Sequence, residues 1–238
     1  MPDANNVDQK RAIRALFTHI APNYDKVNRL LSWGQDQNWR KCALACAQVP
    51  PGGKLLDIAT GTGDVALLAA DQLPGAQIVG ADLTPAMLME AQRKARAHSV
   101  AAQRIHWVHS DGLVLAFPSN AFDAVISVFM MRNVPDVARA FNEQARVVRP
   151  GGRVVCLEMT WPQRFPMTWL FKLYFFGFAP MLGQLIAKNR AAYTYLPQSV
   201  KQFFAPAATA KIMEAAGIHD VAWELKMLGT VVIFWGVK

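Results

Sequence analysis

The feature that most constrains this chain is the run Leu55-Leu56-Asp57-Ile58-Ala59-Thr60-Gly61-Thr62-Gly63-Asp64, an apolar strand that breaks into a glycine-rich turn before a helical pattern from Val65. Gly61 and Gly63 let the backbone turn tightly and approach a ligand, while the N–H groups opening the next helix face its polar end. A second apolar run, 77–81, ends at Asp82, nineteen residues after Gly63. That is about the spacing at which a carboxylate accepts hydrogen bonds from ribose hydroxyls. The alternation then continues, with strands expected at 54–58, 77–81, 105–109, 124–128 and 153–157 and helices at 65–72, 85–97 and 134–148. Strands separated by helices imply an α/β fold with a doubly wound, mostly parallel sheet.

The loop carries no third glycine in dinucleotide spacing, because Asp64-Val65-Ala66 follows Gly63. It is therefore not a pyrophosphate cradle, and a cofactor with ribose but no pyrophosphate fits better. The order of apolar strand, acid at Asp57, G-x-G loop and strand ending in Asp82 is similar to that of class I methyltransferases, whose cofactor is S-adenosylmethionine (SAM). Such sheets bind ligands outside the carboxyl ends of their strands. Residues 57–64, Asp82-Leu83, Ser110-Asp111-Gly112 and 128–133 all follow strand ends and are expected to ring one crevice. Asp111 reads either as an acceptor for an adenine amino group or as the opening of a turn before Gly112.

With 238 residues the chain suits one domain. We expect a helical N-terminal lid over 1–50, a cofactor-binding core over 54–160, an apolar helical insertion over 161–205 and a closing helix and strands over 206–238. Thr84 is the expected N-cap of the helix opened by Pro85, and Pro150-Gly151-Gly152 the stop before the fifth strand. The formal charge is +8, but the basic residues are scattered and do not interleave with stacking aromatics, so no nucleic-acid partner is expected. Cys42, Cys46 and Cys156 form neither a zinc pattern nor a disulfide framework, which points to a reducing cytosol and no metal. The N-terminus is polar and lacks an apolar signal core. Residues 161–187 are apolar and aromatic but interrupted by Lys172, Pro180 and Gln184. They read as an interfacial segment over an oily substrate or at the inner membrane face, with a core or dimer helix, hence a homodimer, as the alternative.

Four further stretches carry a closer resemblance, which runs from about Arg14 to the last residue. They are Tyr24-Asp25-Lys26-Val27-Asn28-Arg29-Leu30-Leu31-Ser32-Trp33-Gly34 with Trp39, Phe122-Asp123 through Phe129 to Arg132-Asn133-Val134, Arg146-Val147-Val148-Arg149-Pro150-Gly151-Gly152, and Tyr193-Thr194-Tyr195-Leu196-Pro197-Gln198-Ser199. Together they resemble the ubiquinone/menaquinone biosynthesis C-methyltransferase family. The resemblance implies a Rossmann-like seven-stranded sheet and SAM-dependent methylation of a ring carbon of a prenylated quinol. It places Thr62, Asp82, Asp111, Gly112 and Val128 at family cofactor positions, Ser127 standing beside Val128. The chain departs from the family pattern at Val27, Asp36, Met130 and Phe234.

Deprotonating a quinol hydroxyl makes the ortho carbon nucleophilic, and a cation beside the oxyanion lowers that barrier. Arg132 is the candidate. It stays protonated, so it serves as an oxyanion stabiliser or orients a water; the structural alternative is pairing with a carboxylate such as Asp136. Tyr24 is expected to close over the cofactor or to bind a substrate oxygen. The five histidines form no catalytic constellation. Two other readings stand beside carbon methylation: O- or N-methylation of another apolar metabolite, and a non-catalytic SAM-binding scaffold in a quinone-synthesis complex.

Overall fold

The computed structural model describes residues 4–98, 104–162, 167–173 and 198–238. Its centre is a seven-stranded sheet in the order β3-β2-β1-β4-β5-β7-β6. The strands are β1 (Lys54–Ile58), β2 (Gln77–Asp82), β3 (Ile105–His109), β4 (Phe122–Val128), β5 (Val148–Met159), β6 (His219–Lys226) and β7 (Val231–Val237). Only β7 runs against the others, forming a hairpin with β6 and pairing along β5. The order reverses between β1 and β4, which stay paired to Ile58 and Ser127, and the crevice such folds use lies outside their carboxyl ends.

Alternate side chains of each strand feed two apolar layers. Leu55, Ile126 and Leu157 pack with α3 (Gln35–Ala47) and α4 (Asp64–Gln72) on one face. Leu56, Val125 and Cys156 pack with Phe141 of α6 (Val137–Val147) and Met213 of α8 (Pro206–Ala215) on the other. Leu55 and Leu56 are both fully buried, each contributing about 1.5–3 kcal/mol of transfer free energy. A strand apolar on both faces belongs in the middle of a parallel sheet. A third, smaller cluster joins α1 (Ala4–Ile20), α2 (Tyr24–Leu31) and Met87 of α5 (Pro85–Ala97), so the N-terminal helices rest above the first turn of α5.

Local chemistry moves several expected boundaries. The helix expected from 134 begins at Val137, because Pro135 holds Val134 extended and Asp136 caps the helix by accepting from the Arg139 N–H at 2.9 Å. Thr84 does not cap α5 with its side chain; its N–H instead donates to Asp82 Oδ1 at 2.8 Å. The fifth strand starts at Val148, and Pro150-Gly151-Gly152 lies inside it beside a register shift against β4. Residues 24–47 form two helices, separated by a turn in which Trp33 and Gly34 take φ of 54° and 76°. A short helix, α7 (Met167–Leu173), opens the expected insertion. Residues 163–166 and 174–197, with Pro180, Gln184 and Tyr193 to Pro197, lie outside the described residues. Among the described residues no helix is long and apolar enough to cross a membrane.

Candidate active site

The carboxyl ends of β1, β2, β3 and β4 open onto one crevice, roofed by Phe17 of α1 and Tyr24 of α2. Gly61, Asp82, Leu83, Asp111, Gly112 and Val128 line it together with Tyr24. Asp57, Thr62, Gly63 and Arg132 are not on its walls, and each stands where it does for a different reason.

Asp57 is 1% exposed at the end of β1. Its Oδ2 accepts from the Thr60 hydroxyl at 2.6 Å, while Oδ1 is buried with no partner. Burial pushes this carboxyl up to about 7, against the opposing Thr60 hydrogen bond and the charge of Arg40. Asp82 is satisfied from its own surroundings: Oδ2 accepts from the Gly61 N–H and Oδ1 from the Thr84 N–H, both at 2.8 Å. It therefore fixes the glycine loop as well as facing the crevice, and its oxygens keep lone pairs for a ligand. Burial raises its carboxyl, the two backbone donors opposing. Asp111 accepts from the Leu113 N–H at 2.9 Å, which is the turn reading, and from Lys10 of α1 at 2.5 Å.

The two loop glycines do different work. Gly61, at φ +58°, lies under Tyr24, whose Cε1 is 4.0 Å from where a Cβ on Gly61 would project. Gly63, at φ +84°, is a packing glycine: a Cβ there would meet the Trp107 ring at 2.7 Å. Ala59 also takes a left-handed conformation, φ 54°, which the sequence did not betray because alanine rarely stands there. Thr62 turns away from the crevice and donates to Asp25 of α2 at 2.5 Å. Asp25 and Asp64 both hold Lys94 of α5, and Arg40 bridges Asp36 at 2.7 Å and Asp64 at 3.8 Å. This network ties α2, α3, α4 and α5 to the cofactor loop. Lys94 and the Arg40 guanidinium lower the Asp64 carboxyl although its burial opposes them.

At the ends of β4 and β5, Arg132 is 7% exposed on its side chain and its Nη1 forms a short ion pair with Glu158 Oε1, which is fully buried. Glu158 Oε2 also accepts from the Arg132 N–H at 3.2 Å, and Oε1 from the Met159 N–H at 2.7 Å. The pairing carboxylate is thus Glu158 and not Asp136, which is occupied as the α6 cap. Arg132 Nε is buried and lacks a hydrogen-bond partner among the described residues. The guanidinium lies over the Phe129 ring at 5.3 Å, with Arg40 at 5.6 Å from the same ring. Burial raises the Tyr24 phenol above its ordinary value, with Arg40 and Arg132 pulling the other way. Tyr24 is accordingly a neutral hydrogen-bond donor near pH 7. Arg132, Val134 and Pro135 also line a second hollow, so the segment after β4 separates two cavities.

Glu158 and Lys10 are the site residues that sequence reasoning passed over. The expected strand stopped at Leu157, yet the same strand-end rule that selected Asp57 and Asp82 applies one residue later. Lys10 carries no comparable local signal. Among the described residues no cluster of His, Cys, Asp and Glu could hold a metal.

A family model described as the ubiE/COQ5 methyltransferase family matches residues 4–238. The chain is 44% identical over 221 residues to a demethylmenaquinone methyltransferase of Thermus thermophilus, covering 93% of this chain and 99% of that protein. It is 40% identical over 226 residues to the ubiquinone/menaquinone biosynthesis C-methyltransferase UbiE of Desulfotalea psychrophila, covering 95% and 90%. Among solved structures, a SAM-dependent methyltransferase from Thermotoga maritima shares the fold, with a TM-score of 0.65 at 17% identity over 94% of this chain and 99% of that one.

Proposed function

The chain belongs to the ubiE/COQ5 methyltransferase family, and we propose that it transfers a methyl group from SAM to a ring carbon of a prenylated quinol, demethylmenaquinol being the first substrate to test. The observation that carries the reading is a pair of orphaned buried atoms at neighbouring strand ends: the acceptor Asp57 Oδ1 and the donor Arg132 Nε. Leaving either unpaired costs about 1–3 kcal/mol, and each lies one residue behind the crevice wall, next to Ile58 and Asn133.

The residues fit SAM, which is cationic and carries no phosphate. The crevice presents carboxylates and a close backbone approach at Gly61, and the buried Asp57 behind Ile58 adds a negative charge when ionised. Asp82 and Asp111 are the side chains that would hold the ribose and the adenine. When bound, SAM supplies an electrophilic methyl group on a sulfonium.

The chain's own contribution is placement and charge. Holding the acceptor carbon about 3–3.5 Å from the methyl group turns a bimolecular encounter into an oriented one. The Arg132 guanidinium, clamped by Glu158, stabilises the quinol oxygen as it becomes an oxyanion, with Nε the unspent donor. Tyr24 donates its phenolic hydrogen to a substrate oxygen from the roof, and Phe17 and Phe129 restrict water. The quinol hydroxyl proton leaves to solvent through an oriented water; after the ring carbon has taken the methyl group, the proton on that carbon is lost as the ring re-aromatises and the oxygen takes a proton back, so that one proton is released per methyl group transferred. Incubating the protein with methyl-labelled SAM and reduced short-tail demethylmenaquinone, followed by mass spectrometry, tests the reading. Label on a ring carbon is expected, and label on oxygen or nitrogen, or bound SAM without product, overturns it.

A further inference from the structure

Helix α2 carries the Tyr24 roof on its inner side, where Val27 is 1% exposed. Its opposite side presents Lys26, Arg29 and Leu30, with Trp33 continuing the row at the i, i+3, i+4, i+7 spacing of one helix face in the turn that follows. Leu30 is 47% and Trp33 77% exposed. The one acid of the helix, Asp25, turns inward to Thr62 and Lys94, and Arg29 reaches the Asp64 carboxylate at 3.5 Å, so the outer face carries the cation of Lys26, with Arg29 shared between it and Asp64, beside two large apolar groups. The contacts of Asp25, together with Ser32 and Asp36, hold that face on the framework of the crevice. A second apolar patch among the described residues, Trp223, Leu225 and Leu228 on and beyond edge strand β6, alternates with the Glu224–Lys226 ion pair and lies close to Asp220, and so lacks this charge pattern.

Trp and Leu flanked by Lys and Arg on one helix face are matched to the headgroup region of a bilayer, where the indole sits at the apolar boundary and the cations meet anionic lipid. We propose that the Lys26, Arg29, Leu30 and Trp33 face of α2 docks the protein on an anionic lipid surface and so presents the crevice beneath Tyr24 to the bilayer interface. The purpose of that placement rests on the prenylated-quinol reading, because such a substrate resides in the membrane; the docking itself does not. It stands beside the contact expected at 161–187, most of which lies outside the described residues.

The test is flotation of the full chain with vesicles of phosphatidylglycerol and phosphatidylcholine, and with pure phosphatidylcholine, at low salt. The wild type is expected to float with the anionic vesicles and only weakly with the neutral ones. Leu30→Gln with Trp33→Gln should lower partitioning at least tenfold with unchanged circular dichroism, and Lys26→Gln should lower it about fivefold on the anionic vesicles alone, at about 1 kcal/mol per basic residue near the surface. Quenching of tryptophan fluorescence by brominated lipid should fall in Trp33→Phe, a substitution that keeps the apolar bulk. Equal flotation of the double variant and the wild type, equal binding to both vesicle types, no flotation at all, or quenching unchanged in Trp33→Phe overturns the proposal. Flotation needs no substrate, so a protein that docks through this face yet methylates no quinol overturns the functional reading and leaves the docking standing.

Discussion

The two halves of the site are built on opposite principles. At the ends of β1, β2 and β3, each acid has a partner within three residues, Asp57 in Thr60, Asp82 in Thr84 and Asp111 in Leu113, and the longer-range bonds from Gly61 to Asp82 and from Lys10 to Asp111 are added to these turns. At the ends of β4 and β5, Arg132 is held by Glu158, 26 residues away on another strand, and faces an aromatic ring it shares with Arg40. The first half is thus a set of local turns, brought together by the sheet and tied by the Gly61 bond to Asp82. The acceptor half is a buried ion pair whose partners are meaningless apart. A local turn tolerates the loss of one member, whereas a buried pair that loses one partner strands a charge.

The sharpest test of that contrast is Glu158→Ala, which leaves the Arg132 guanidinium buried and uncompensated. A loss of about 3–5 kcal/mol of unfolding free energy is expected in a denaturant titration, and a loss below 1 kcal/mol would mean that the two halves are built alike. Arg132→Ala comes next and should separate the halves functionally. Methyl transfer should fall about 10²–10³-fold in kcat, while SAM affinity measured by calorimetry stays within twofold; weakened SAM binding would put Arg132 in the cofactor half.

Asp57→Asn probes the other side. Because the folded-state carboxyl titrates near 7 and the ordinary value is 3.8, the folded chain retains a proton that the unfolded chain has released between those values. Stability of the ligand-free protein should therefore fall as pH rises from about 4 to about 7, and Asp57→Asn should flatten that slope. SAM, a cation, prefers the ionised form, so its affinity should climb up to about pH 7 and level off above. The Asn variant should bind about tenfold to a hundredfold more weakly, as loss of a charged hydrogen bond costs about 1.5–3 kcal/mol, without the climb. A wild-type affinity independent of pH between 5 and 8 would detach Asp57 from the cofactor. The smallest expected effect is at Lys10, which occupies a carboxylate the cofactor would use. Lys10→Met should tighten SAM binding by up to about fivefold, the worth of a partly exposed ion pair, and weaker binding would instead make Lys10 part of the closed site.

The same contrast explains what could be read in advance. The strands, their parallel order and the crevice at their carboxyl ends follow from alternating apolar runs and turn residues, all local signals. The errors were also local in origin: Thr84 has a capping side chain but turns to Asp82 instead of capping α5, and the helix expected from 134 is delayed by Pro135 and Asp136. Gly63 reads in sequence like Gly61, yet it makes room for Trp107 of a strand more than forty residues on.

By itself the sequence determined the α/β architecture and the strand-end positions of Asp57, Asp82 and Asp111, because period, turn chemistry and strand-end position are set within a dozen residues. Only the tertiary structure decided that Arg132 answers to Glu158, that Thr62 serves the lid through Asp25, and that Lys10 reaches Asp111. Each of these is a charged or hydroxyl group buried by distant segments, and burial makes its partner obligatory without leaving a mark in the local pattern.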